Sequence, residues 1–439
     1  MNFETLGVSS PILKALEEER YVSPTPIQEK AIPAALQGRD ILGLAQTGTG
    51  KTAAFSVPIL QVLSLKKQGG PRRKIRALIL TPTRELAIQI QESITTYGRH
   101  TGLKSMVVFG GVNQTGQVKQ VRAGVDILIA TPGRLVDLVQ QKFIRLDGIE
   151  IFVLDEADRM LDMGFIHEVR RILEMIPEKK QTLLFSATMP REMIDIVKNL
   201  LKDAVKIEIS PASSTVDAVE QSVYLVDRNH KIDVFTELFI EKNMSSVLVF
   251  TRTKHGADKV VRELARRQIE AQAIHGNKSQ NARQKALEKF KSGKIKVLVA
   301  TDIASRGIDI DELEYVINYD LPETPETYVH RIGRTGRAGN SGVAISLCSY
   351  QEQSLLADIE RVIRKEIKIK SNSKYPMVDL TEKQTKKNPQ RKNDVSKDKK
   401  TKSEKTGDKK ETKNSRNKKN KTSDKWKKRQ YNASKQSAL

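Results

Sequence analysis

Eight consecutive residues, Ala45-Gln46-Thr47-Gly48-Thr49-Gly50-Lys51-Thr52, stand between an apolar run and a helical one. Glycines at alternate positions let successive backbone N–H groups turn inward on a phosphate, and a helix starting there adds the positive end of its dipole. Lys51 supplies a point charge suited to the β/γ-phosphates of a nucleotide, and the Thr52 hydroxyl can ligate Mg²⁺. The general pattern opens on Gly where this chain has Ala45. A glycine-rich turn with a chance lysine is the rival reading, and the strand–loop–helix context weighs against it. Further along, the apolar run Ile151 to Leu154 ends in Asp155-Glu156-Ala157-Asp158. A carboxylate at a strand's carboxyl end, beside a phosphate loop, is where an Mg²⁺-holding Asp belongs. Glu156 is then a candidate general base that orients and deprotonates an attacking water. Taken alone, two acids after a strand are more often a helix N-cap; the phosphate loop tips the balance toward catalysis.

Groups so far apart in sequence need a scaffold that gathers them. Short β-rich apolar runs alternate with amphipathic stretches from Phe3 to Ser371. Strands are expected at Ile41–Ala45, Ala77–Thr81, Ser105–Phe109, Ile127–Ala130, Ile151–Leu154 and Thr182–Ser186. After a polar gap at Ser210–Val216 they resume at Val247–Thr251, Ala271–His275, Val297–Thr301, Tyr315–Asn318 and Val343–Leu347. Continuous apolar strands separated by helices imply parallel sheets covered on both faces, here an α/β chain of two domains.

Composition narrows the partners. The 439 residues carry 76 Lys+Arg against 53 Asp+Glu, a formal charge of +23. Such a charge suits a polyanion, because each neutralised phosphate releases counterions, although a basic tail can also serve solubility alone. Residues 382 to 429 hold 21 Lys+Arg and 7 Asp+Glu among Asn, Thr and Ser. That stretch cannot bury enough apolar surface to offset the entropy of ordering, so it is expected to be disordered. Cys348, the only cysteine, excludes an intramolecular disulfide and sits in an apolar run, as a core thiol does. The N-terminal residues lack the basic and apolar regions of a secretory signal, and no apolar run reaches the roughly eighteen residues of a membrane span. A soluble, cytoplasmic protein without membrane contact is expected.

Beyond the phosphate loop and the acidic motif, about ten spaced segments resemble the DEAD-box ATP-dependent RNA helicases, in family order over nearly all of Phe3 to Ser371. ATDIASRGID and HRIGRTGR look most like the bacterial RhlE-like branch. The resemblance implies two tandem RecA-like (P-loop NTPase) domains with parallel sheets, plus a disordered basic C-terminal tail. Their expected bounds are 1–208 for the ATP-binding domain, 209–217 for a linker, 218–371 for the second domain and 372–439 for the tail. It implies ATP and Mg²⁺ as cofactors and RNA, single-stranded or at duplex ends, as partner. Ribosomal precursors and mRNA-decay complexes are candidate assemblies.

The same resemblance assigns roles. Pro24-Thr25-Pro26-Ile27-Gln28 is similar to the Q motif, with Gln28 on the adenine edge and Phe3 stacked on the base. The usual Gly-Phe pair before it reads Arg20-Tyr21. Pro82, Arg84, Gly110, Gly111, Thr131, Gly133 and Arg134 match RNA-binding motifs of the first domain, where arginine forks and bare backbone meet phosphate. Gln280, Arg283 and Thr301 match RNA-contacting positions of the second domain. Ser186 and Thr188, in Ser-Ala-Thr, resemble the motif that couples the acidic site, through Asp158, to the RNA face. Asp309 matches the acid that reaches the ribose. Arg334 and Arg337 resemble arginine fingers on the γ-phosphate, and His330 a domain–domain contact. The common His-Gly-Asp reads His275-Gly276-Asn277. Singly, each is more readily an ordinary loop, cap or surface residue; together they point to RNA-dependent ATP hydrolysis with local duplex unwinding or ribonucleoprotein remodelling. An ATP-gated RNA clamp, a DNA translocase and a tail-driven RNA chaperone stay open as alternatives.

Overall fold

The computed structural model describes residues 2–46, 48–66, 73–209, 219–305, 310, 313–336, 342–370, 374, 375 and 377. Contacts divide the chain into two compact units, one sheet in each. The first sheet holds β1 (Ile41–Leu44), β2 (Ala77–Leu80), β3 (Ser105–Val108), β4 (Ile127–Ala130), β5 (Ile151–Asp155), β6 (Gln181–Ser186) and β7 (Val205–Glu208). All pairings are parallel, in the order β3-β4-β2-β5-β6-β1-β7. The second sheet holds β8 (Val219–Leu225), β9 (Val247–Phe250), β10 (Ala271–Ile274), β11 (Val297–Ala300), β12 (Tyr315–Asn318), β13 (Gly342–Cys348) and β14 (Lys368–Lys370). It too is parallel, in the order β10-β11-β9-β12-β13-β8-β14.

Burial explains why central strands read as unbroken apolar runs. Ala77 and Ile79 of β2 join one hydrophobic cluster, with Phe55 and Ile59 of the helix Lys51–Leu65. Leu78 and Leu80 join another, with Leu135 and Leu138 of the helix Pro132–Gln140. Helices therefore cover both faces, so neither face of the strand tolerates polar residues.

Every strand expected from the sequence is present. Three were missed. β7, with only Ile207 buried, is a short edge strand whose Lys206 and Glu208 mask its pattern. β8 reads Val-Glu-Gln-Ser-Val-Tyr-Leu; its Gln221 and Ser222 are buried, and Gln221 Oε1 accepts from Tyr328 Oη at 3.0 Å. β14 is a charged tripeptide beside it. Cys348 is fully buried, and burial pushes its thiol up, as befits a core residue.

The expected linker 209–217 lies outside the described residues except Ile209, which packs on the first unit's core. The expected disordered tail 372–439 lies outside them except Lys374, Tyr375 and Met377. Packing on the second unit therefore extends past the expected end at Ser371. Lys374 pairs with Glu237 at 2.8 Å, Tyr375 stacks on His230 with centroids 5.1 Å apart, and Met377 packs against the core around Leu356 and Ile359.

The Arg20-Tyr21 departure has a backbone consequence. The helix Ser10–Glu18 ends in a Schellman motif, with Arg20 N donating to Glu17 O and Tyr21 N to Leu16 O, both at 2.9 Å. Arg20 occupies the left-handed position with φ 60°, where glycine is favoured.

Candidate active site

Strand order does the gathering. β1 and β5 flank β6, in registers that pair Leu44 with Ser186 and Asp155 with Phe185. The phosphate loop, the acidic motif and Ser186-Ala187-Thr188 thus leave three adjacent strands at their carboxyl ends, where parallel α/β sheets bind ligands.

The loop from Ala45 to Gly50 carries Gly48 at φ 85° and Gly50 at φ 92°. Thr49 Oγ1 donates to Gln46 O at 2.7 Å, closing the loop on itself. Thr25 Oγ1 donates to Thr49 O at 2.8 Å and Gln28 Nε2 to Gly50 O at 3.1 Å. Gln28 Oε1 accepts from Thr25 N at 3.0 Å, and the residue is 1% exposed. The structure thus gives Gln28 a task beyond the adenine contact expected of it, fastening the phosphate loop to the segment before it. The approach is close: a Cβ on Gly50 would lie 2.4 Å from Gln28 Nε2 and 2.8 Å from Thr25 Oγ1. Phe3 is 4% exposed, edge-on to Tyr21, and lines with it and Lys14 a surface cavity of about 810 Å³.

Lys51 opens the helix Lys51–Leu65, with Thr52 half-buried behind it. Its Nζ is buried without a hydrogen-bond partner, and Glu156 Oε1 stands 3.5 Å away. Asp155 ends β5 with its Oδ1 likewise without a partner. Burial pushes the Asp155 carboxyl up to about 7, against the Lys51 ammonium, which pulls it down. A buried cation and a buried carboxyl oxygen, both without a hydrogen-bond partner beside a glycine-rich loop, fit a phosphate and a divalent ion.

Glu156 takes a left-handed conformation, φ 55°, where the strand turns into the helix Ala157–Asp162. Its Oε2 is 2.5 Å from Arg159 Nη1 in an ion pair buried on both sides. Asp158 Oδ2 accepts from Thr188 N at 2.8 Å and Thr188 Oγ1 at 2.9 Å, and Asp158 N donates to Ser186 Oγ at 3.2 Å. The acidic motif and the Ser-Ala-Thr segment are one hydrogen-bonded body. Arg159 was missed in the sequence reading, although it follows Glu156 by three residues in the first turn of a helix.

A second group of expected residues meets over the ends of β2, β3 and β4. A Cβ on Gly111, φ 79°, would come within 2.2 Å of Arg84 Nη1, so the guanidinium lies flat on this glycine backbone with Gly110 alongside. Arg134 donates to Val112 O at 3.3 Å and pairs with Asp137 at 3.5 Å. Thr131 is buried at the start of the helix Pro132–Gln140, Gly133 is exposed on it, and Pro82 is buried after β2.

Gln280 and Arg283 lie one turn apart on the helix Gln280–Lys291, and Thr301 follows β11; all three are buried. His330 is exposed and Arg334 is 5% exposed. Arg331, between them, is spent on structure. It grips Asp302 through Nε at 2.6 Å and Nη2 at 2.7 Å, donates to Asn318 Oδ1 and Asp320 O, and stacks over Phe250. The sequence alone does not single out Arg331 among the arginines of this motif; its grip on Asp302, Asn318 and Asp320 does. Thr47, Asp309 and Arg337 lie outside the described residues.

Two family models match the chain: DEAD/DEAH box helicase over residues 25–196 and Helicase conserved C-terminal domain over 230–339. The chain is 43% identical over 368 residues to the DEAD-box ATP-dependent RNA helicase CshA of Streptococcus pneumoniae, covering 84% of this chain and 69% of that one. It is 42% identical over 364 residues to the ATP-dependent RNA helicase CshA of Limosilactobacillus reuteri, covering 83% of this chain and 72% of the relative. The chain belongs to the DEAD-box ATP-dependent RNA helicases. These relatives carry the name CshA, so the RhlE-like assignment rests on motif wording alone. Among solved structures, this DEAD-box helicase resembles S. cerevisiae Dbp5 bound to RNA and ADP BeF3, with TM-score 0.73 and 32% identity over 88% of this chain and 98% of that one. The helicase is accordingly an ATP-using enzyme that acts on RNA, built on two parallel α/β units. No described helix is long and apolar enough to cross a membrane.

Proposed function

We propose that this helicase hydrolyses ATP with groups from both units, so that turnover waits on RNA binding. The observation that carries the assignment is the buried Lys51 ammonium without a hydrogen-bond partner, beside the Gly48–Gly50 turn. Lys51 and the loop amides hold the β/γ-phosphates, and Gln28 keeps the loop in shape from behind. Thr52 and Asp155 would hold Mg²⁺, which supplies charge neutralisation on the phosphates when bound. Glu156 takes the proton of the attacking water. The water oxygen bonds to the γ-phosphorus, and the P–O bond to the β-phosphate breaks with its electrons leaving on ADP. Arg334 and Arg337, which the second unit contributes, stabilise charge developing on the γ-phosphate; such arginines are worth ~10³–10⁵ in rate.

Arg84, Gly111, Arg134, Gln280, Arg283 and Thr301 are the proposed RNA contacts, made to backbone and therefore with little base preference. The Asp158–Thr188 hydrogen bonds support a coupling role, because they join the acidic motif to the segment that follows β6. Dbp5, by its structure's description, binds RNA together with ADP BeF3; by likeness, ATP and RNA are bound together here, each raising the other's affinity. Cytoplasmic RNA, ribosomal precursors and mRNA-decay complexes are the proposed settings. Strand displacement tests this. The protein with ATP should separate a short RNA duplex, Lys51→Met should not, and a DNA duplex of the same sequence should stay closed. Equal opening of the DNA duplex, or opening by the Lys51 variant, overturns the proposal.

A further inference from the structure

The buried Glu156–Arg159 pair lies outside the roles assigned so far. Both oxygens of the proposed base are committed: Oε1 faces Lys51 Nζ at 3.5 Å, and Oε2 sits 2.5 Å from Arg159 Nη1. Glu156 is 4% exposed and Arg159 8%, so water cannot substitute for either partner. The two oxygens differ in what happens next. A nucleotide phosphate competes for Lys51 and frees Oε1, whereas nothing about nucleotide binding calls Arg159 away. The Arg159 backbone is held from behind, its N–H donating to Asp158 Oδ1 at 3.0 Å. Asp158 holds Thr188 with its other oxygen. Thr188, Asp158, Arg159 and Glu156 thus form a continuous chain of polar contacts, ending on the carboxylate.

We propose that Arg159 is the positioning residue for the general base: it pins Oε2, so that Oε1, once Lys51 turns to phosphate, is the oxygen that meets the attacking water. This rests on the reading of Glu156 as that base. A carboxylate loose by a single ångström loses much of its effect, which is the argument for pinning it on a left-handed turn where its own backbone is strained.

The test is steady-state ATP turnover by the full chain with saturating single-stranded RNA, for the wild type, Arg159→Met, Arg159→Lys, Glu156→Gln and the Glu156→Gln/Arg159→Met double variant. Arg159→Met should lower kcat by about 10- to 100-fold, with KM for ATP and the half-saturating RNA concentration within about twofold. Arg159→Lys should regain most of the kcat, because an ammonium can still hold Oε2. The double variant should be no slower than Glu156→Gln, since a missing base needs no positioning. An Arg159→Met enzyme with unchanged kcat, a loss appearing in KM alone, a lysine variant as impaired as the methionine one, or a double variant slower than Glu156→Gln each overturns the proposal. Turnover by Glu156→Gln equal to wild type would instead remove the reading beneath it, so the two failures are distinguishable.

Discussion

Gly50→Ala is the sharpest probe of how the phosphate loop is held. The new Cβ would lie 2.4 Å from Gln28 Nε2 and 2.8 Å from Thr25 Oγ1, on a residue at φ 92°. Alanine in left-handed backbone costs ~1–2 kcal/mol. Displacing the Gln28 amide forfeits its bonds to Gly50 O and Thr25 N, at about 0.5–1.5 kcal/mol each. Together the native loop shape becomes roughly 2–5 kcal/mol harder to reach. The free chain can relax by moving the loop, so the cost falls on nucleotide binding. Affinity for a fluorescent ADP, measured by equilibrium titration, should fall about 30-fold or more. Gln28→Ala alone should weaken binding less, and in the Gly50→Ala background it should recover part of the loss by removing the clash, a non-additivity expected between touching residues. Binding by Gly50→Ala within threefold of wild type, or strict additivity in the cycle, would refute the reasoning.

Three further outcomes follow from particular contacts. Arg20→Gly should stabilise the first unit by about 0.5–1 kcal/mol in denaturant unfolding, since glycine relieves the left-handed strain at slightly greater chain entropy. Thr188→Val should leave nucleotide affinity intact while cutting RNA stimulation of ATP turnover severalfold, because it removes the Oγ1 bond to Asp158 at 2.9 Å. Lys231, 1% exposed, donates to Glu352 Oε2 and Tyr319 O, both at 2.6 Å. Lys231→Met should cost the second unit about 3–5 kcal/mol, and adding Glu352→Leu should recover only part of it, because Leu321 N and Ser349 N then lose the acceptor they reach at 3.1 and 3.0 Å. Burial alone would raise the Glu352 carboxyl, but the Lys231 ammonium holds it below the usual carboxylate range. Its contribution is thus complete above the unfolded value of about 4.3 and lost as pH falls through the folded value. Acid melting curves of the wild type should show that loss, and those of the double variant should not.

What the sequence made legible was local. The phosphate loop and the acidic motif are contiguous residues on strand ends, and central strands are apolar throughout because both faces are covered. β8 escaped notice because Gln221 and Ser222 are buried in spite of their polarity, Gln221 against Tyr328, far along the chain. Gln28 read as a base contact, and its second use, on Gly50 O, depends on how the helix Pro26–Leu36 lies against the loop. Arg331 and Arg334 are neighbours of like type; only the fold shows that Asp302 and Asn318 claim the first. Arg159 was within reach of the sequence, three residues after Glu156 in the first turn of a helix.

The most direct test of the central claim is ATP turnover by the whole chain with no nucleic acid, with single-stranded RNA and with single-stranded DNA, in wild type and Arg334→Ala. Hydrolysis divided between the units predicts slow turnover alone, strong stimulation by RNA but not DNA, and loss of that stimulation in the variant. Turnover indifferent to RNA, or RNA stimulation that survives Arg334→Ala, would contradict it.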